Sequence, residues 1–198
     1  KLQSDGNVDE ALAAYVTLLD KATLDSEQLA HAYRGALNCY QELNRVHEID
    51  TFREPLTQKF ADDWRVLTAI AQSYANRPHY GYRIAGEFHR GDHRGGGKVM
   101  NAEARDRVRA LQLFHHAYSL LANLPEDQSE QAAANLLRSF AQTLQFNRGY
   151  TQSWRLQSLT DLDELPDYDD GWNHFYGGTQ GAPVDAQAAR VPVDLSIV

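Results

Sequence analysis

The chain has 198 residues, 42% of them hydrophobic and 23% charged, which suits one domain with a sizeable core or a domain plus a tail. Its formal net charge of −8 argues against a surface built as a whole to bind nucleic acid, and no apolar run approaches the ~20 residues that span a bilayer. Cys39 stands alone, so an intrachain disulfide and a cysteine-based zinc site are excluded, and it reads as a small residue of an apolar helix face.

The first predicted helix runs from about Asn7 to Ala22. Asn7 with Glu10 offers a capping box, and Val8, Leu12, Tyr15, Val16 and Leu19 share one face. Asp25 with Gln28 repeats the start signal for a second helix striped by Leu29, Ala32, Tyr33, Ala36, Leu37, Tyr40 and Leu43. Gly35 and the alanines there let a neighbouring helix come close. A third helix spans Val46, Ile49, Phe52, Leu56 and Phe60, where Pro55 predicts a kink near Thr51 or a restart. Asp62 or Asp63 caps a fourth helix on Trp64, Leu67, Ile70, Ala71 and Tyr74.

Composition then changes. Arg77 to Arg109 holds eight Lys/Arg against four Asp/Glu in a chain that is acidic overall, with many glycines and histidines. This reads as a basic loop, 77–100, inserted between the halves of a helix pair. Asn101 opens a fifth helix, reaching Ala122, with Val108, Leu111, Phe114, Tyr118 and Leu121 as its buried line. Asp127 starts a sixth on Ala133, Leu136, Leu137, Phe140 and Leu144, capped by Gly149. Trp64, Leu67, Leu111, Phe114, Leu137 and Phe140 are expected to be buried together. Beyond Tyr150 the periodicity decays into a tail. Leu156, Leu159, Leu162 and Leu165 suggest a short helix, and Asp161 to Asp170 carries six acids in ten residues. Trp172 to Gly178 is aromatic and Gly-rich, and Val191 to Val198 alternates like an edge strand leading toward a further domain.

Helix pairs recurring at roughly 34 to 40 residues suggest a solenoid. Tyr33, Ala36, Leu37 and Tyr40, with Trp64, Leu67 and Ala71, resemble the first helix of a tetratricopeptide repeat. Ala110-x3-Phe114-x2-Ala117 and Ala11-x3-Tyr15-x2-Leu18 resemble its second. No repeat is complete, and Thr68 stands where a small residue is expected. The expected fold is therefore all-α: a TPR-like solenoid of antiparallel helix pairs over 1–149, with a long basic insertion loop (77–100) and an irregular tail, 150–198.

A second likeness rests on particular runs. Gly86-Glu-Phe-His-Arg-Gly91, Arg94-Gly-Gly, Arg105-Asp-Arg-Val-Arg-Ala-Leu-Gln-Leu113, Leu165-Pro-Asp-Tyr-Asp169 and Gly181-Ala-Pro-Val-Asp185 resemble the helical N-terminal region of large bacterial alpha-2-macroglobulin-like proteins. The resemblance implies an exported protein of the periplasm or cell envelope, with β-rich domains to follow. The residues alone leave the cytoplasm open. The Cys-x-x-Gln thioester of some members is missing, since Cys39 is followed by Tyr40, Gln41 and Glu42.

No catalytic motif is complete, no cofactor is implied, and the chain reads as a non-enzyme. Gly95-Gly-Gly-Lys98 lacks both the spacing and the hydroxyl of a phosphate loop, because Asp92 and Val99 stand where glycine and Ser/Thr are needed. Asp167 to Gly171 fails as a calcium loop, since its ligand positions fall on Pro166, Tyr168 and Asp170. His89 and His93 read as solvated loop residues rather than metal ligands. The arginines matter more. Arg90, Arg94, Lys98, Arg105 and Arg109 form the candidate surface for a partner or an anion. The acidic tail, through Asp161, Asp163, Glu164, Asp167, Tyr168, Asp169, Asp170 and Trp172, is expected to dock there, its acids pairing with Arg90, Arg94, Arg105 or Arg109. The expected role is a non-catalytic protein-interaction or scaffold module contacting a protein or a neighbouring domain. The alternative is a regulator that binds nucleic acid or another anionic ligand through 77–109.

Overall fold

The computed structural model describes residues 2–21, 23–76, 78–123, 126–145 and 162–171, without the side chains of 126–132 and 145. Six α-helices, counted among these residues, are α1 Val8–Leu19, α2 Ser26–Glu42, α3 Ile49–Lys59, α4 Trp64–Asn76, α5 Glu103–Leu121 and α6 Glu126–Gln145. Between α4 and α5 lie β1 Tyr80–Ile84, β2 Glu87–Arg90 and β3 Lys98–Asn101, and β4 Asp169–Asp170 follows later. The fold is therefore mixed rather than all-α. The stretch expected to be an insertion loop is an antiparallel sheet of order β2-β1-β3-β4.

The helices form where capping and periodicity coincide. Asp25 accepts from Gln28 N at 2.8 Å, and the Gln28 side chain accepts from Asp25 N at 3.2 Å, completing the box that opens α2. Asn7 makes no such side-chain bond, and α1 ends at Leu19 rather than Ala22. Asp63, not Asp62, caps α4 through Arg65 N and Val66 N. Pro55 neither restarts α3 nor sits in its first turn; the helix begins at Ile49 and runs through it. Asn101 accepts from Glu103 N at 2.8 Å, but it ends β3, and the cap position of α5 is Ala102, which makes no side-chain bond.

Successive helices pack α1 on α2, α2 on α4, α4 on α5 and α5 on α6. Their shared core includes Tyr33, Leu37, Cys39, Leu67, Ile70 and Phe114, all 2% exposed or less. The Tyr15 ring rests on Gly35, the close approach that the missing side chain permits. Four residues of the expected apolar faces lie outside. Val16 is 36% exposed, Tyr118 44%, Leu137 45% and Leu144 43%; α5 and α6 turn Phe114, Ala117, Leu136 and Thr143 inward instead. Met100, Ala102, Val108 and Leu111 are buried apart from the main cluster.

The sheet starts from a two-residue hairpin turn. Ala85 and Gly86 have φ of 51° and 90°, the left-handed pair whose twist matches that of the flanking strands. Register sets Arg90, Gly81, Met100 and Asp170 in one row, on one face, and His89, Tyr82 and Val99 on the other.

Candidate functional site

Two helices and the hairpin meet at one carboxylate. Asp106, in the first turn of α5, is 2% exposed. Arg90, at the end of β2 and 3% exposed, donates to it twice, Nη1 to Oδ2 at 2.6 Å and Nη2 to Oδ1 at 2.8 Å. Arg90 also donates to Asp50 of α3 at 3.0 Å and to the Pro78 carbonyl at 2.6 Å. His79 Nδ1 donates to Asp106 Oδ2 at 2.8 Å. Burial alone would raise the Asp106 carboxyl; the His79 bond and the Arg90 and Arg53 charges outweigh it and hold the group below the ordinary carboxylate range. Burial alone would lower Arg90, yet Asp106 and Asp50 push it above the usual guanidinium value.

Arg53 continues the network into the helical body. It is 0% exposed and donates to Asp50 at 2.5 Å, with Asp106 at 3.6 Å and the Tyr74 ring centroid 3.3 Å from its guanidinium carbon. Its Nε and Nη1 have no hydrogen-bond partner. Tyr74 in turn donates to Glu54 at 2.6 Å, and Arg109 donates to both Glu54 oxygens at 2.9 and 2.8 Å. Burial works to raise Glu54, but the Arg109 and Tyr74 hydrogen bonds bring it below its ordinary value. This network fastens the sheet to α3, α4 and α5.

On that fastened sheet lies the segment 162–171. Asp169 and Asp170 pair antiparallel with Asn101 and Met100, and Gly171 N donates to the Val99 carbonyl at 2.9 Å. Lys98 Nζ donates to Asp170 at 2.5 Å. Further back, Arg105 Nη1 donates to the Pro166 carbonyl at 2.9 Å, and Gln112 Nε2 to the Leu162 carbonyl at 2.6 Å. Tyr168 reaches across the sheet to stack on Phe88, ring centroids 4.3 Å apart, while the Arg105 guanidinium lies 5.0 Å from its ring. Burial raises the Tyr168 hydroxyl above its ordinary value. Room for this crossing comes from Gly81, where a Cβ would sit 2.7 Å from the Phe88 ring.

No family model, curated protein or solved structure matches the chain.

The sequence-predicted site residues therefore separate. Lys98 and Arg105 hold the segment, whereas Arg90 and Arg109 are engaged by Asp106, Asp50 and Glu54 of the body. Arg94 is exposed in the turn between β2 and β3. Of the expected tail residues, Asp169 and Asp170 form β4, Tyr168 stacks on Phe88, and Asp163, Glu164 and Asp167 are exposed. Asp161 and Trp172 lie outside the described residues, as do Gly149 and the predicted strand 191–198. Sequence reasoning missed Asp50, Arg53, Glu54, His79, Phe88, Asp106 and Gln112. One signal was available: Arg53 interrupts the apolar stripe of α3, four residues after Ile49 and three before Leu56.

Two further observations bear on the chemistry. Among the described residues no group of three or more His, Cys, Asp or Glu side chains is placed to hold a metal, and no helix is long and apolar enough to cross a membrane. A cleft of about 260 Å³ between α4, α5 and α6 is lined by Gln72, Asn76, Ser139, Gln142 and Thr143 over Phe114, with no residue of the segment in its lining.

Proposed function

We propose that the chain is a non-catalytic protein-interaction module, in which helices carry a fixed sheet and the sheet with α5 holds an extended polypeptide. The carrying observation is the seating of residues 162–171, gripped mainly through their backbone: a strand pairing and side-chain donors from Arg105 and Gln112 to Pro166 and Leu162 carbonyls. Such a grip recognises an extended chain rather than a reacting group. In the setting that the macroglobulin-like resemblance implies, the module orients a neighbouring domain of an exported envelope protein through this segment.

The anion-binding reading is less well supported, because Arg90 and Arg109 already carry carboxylate partners. Arg107 likewise donates to the Thr143 and Leu144 carbonyls of α6. Limited proteolysis tests the proposal. With an enzyme that cuts at acidic residues, the wild-type 162–171 segment should be cleaved at least tenfold more slowly than a free peptide of the same sequence. Arg105→Glu should remove that protection. Equal rates for the wild-type chain and the free peptide would refute the reading.

A further inference from the structure

The two sides of the segment contact are unequal. The receiving strand belongs to a sheet that is fixed to the helices through Arg90 and Asp106, with no help from the segment. The entering strand has two residues, and the Lys98 and Asp170 side chains that join them are 60% and 64% exposed. Exposed ion pairs hold weakly, and a two-residue ladder contributes few bonds. The receiving surface is thus built independently of its occupant, and water can replace the occupant's bonds one at a time.

The receiving side also selects. Donors from Arg105 and Gln112 to main-chain carbonyls require an extended chain with no helical bonds of its own at those points. Phe88 and Arg105 together present a ring and a cation to an aromatic side chain at position 168. Lys98 presents an ammonium to a carboxylate at position 170.

We propose that β3, Phe88, Arg105 and Gln112 form a strand-addition site for a second polypeptide, and that residues 162–171 occupy this site in cis. The second polypeptide would carry an extended segment with an aromatic residue and a carboxylate two places after it. The proposal rests on the interaction-module reading and adds regulation to it. An occupant on the same chain competes with any free partner without being diluted. A weak partner is therefore shut out, and a strong one opens the site.

The test uses the full chain and a fluorescein-labelled synthetic peptide with the sequence of residues 162–171, read by fluorescence anisotropy. Tyr168→Ala with Asp170→Ala strips the cis occupant of its ring and carboxylate and leaves the receiving side intact. The peptide should bind this double variant at least tenfold tighter than the wild-type chain. Adding Lys98→Glu should weaken that binding at least fivefold, and a peptide with alanine at the place of Tyr168 should compete poorly. Asp170→Ala alone should give the same ordering with a smaller gain. Absence of binding to both variants, with their circular dichroism unchanged from wild type, overturns the proposal, as does binding indifferent to Lys98→Glu and to the peptide's aromatic residue. Protection of the wild-type segment from proteolysis, without peptide binding in trans, sinks the exchange alone; loss of protection sinks the interaction reading as well.

Discussion

Arg90 and Arg53 are both buried guanidinium groups beside Asp50 and Asp106, yet their bonding differs. Arg90 donates to both Asp106 oxygens, to Asp50 and to the Pro78 carbonyl, while Arg53 leaves two donors unpartnered against the Tyr74 face. Breaking a well-bonded buried pair costs about 3–5 kcal/mol, so Arg90→Met should fall in that range. Arg53→Met removes two unsatisfied buried donors along with its bonds and should cost less than half as much. Urea denaturation of the two variants checks the ordering, and equal losses would contradict it. Asp106 carries a pH consequence. Its native value is depressed, so its contribution is complete above an unfolded value of about 3.9 and is lost as pH falls through the lower native value. Acid unfolding of the wild type should therefore steepen below about pH 4, and Asp106→Asn should flatten that part of the curve.

The hairpin shows what an element needs beyond pattern. At Gly81 a Cβ would lie 2.3 Å from the His89 carbonyl oxygen and 2.7 Å from the Phe88 ring, so one of them must move. Gly81→Ala should displace Phe88, cost about 1–3 kcal/mol and strip the 162–171 segment of its proteolytic protection. Retained protection would mean that the Phe88–Tyr168 stack does not hold the segment. The same element marks the limit of what could be read from residues. Helix α2 was legible because its capping box and apolar stripe agree, and both are local. The strands were not, because Arg83, Glu87, His89 and Arg90 dilute the apolar alternation, and only the Ala85-Gly86 pair between two short runs marks the turn. Tyr82 and His89 pair across that turn, a relation visible only once the register is known.

Across the whole molecule, opposite charge located the two stretches that meet but not the residues that pair. Arg90 and Arg109 find Asp106, Asp50 and Glu54, whose distances in the chain reach 55 residues, and no local spacing announces such partners. The tail segment meets the sheet through a ring, carbonyls and one lysine instead. Helical body and sheet are consequently joined firmly, and sheet and segment lightly. That contrast has a mechanical meaning. A pull at residue 171, directed away from the sheet, loads the Lys98–Asp170 pair and the short ladder beside Met100 and Asn101 before it reaches Asp106. The bonds of an end-loaded, two-residue strand part in succession rather than together. The segment would come off the sheet at low force, as a fuse does, before the buried pairs that join sheet and helices are loaded.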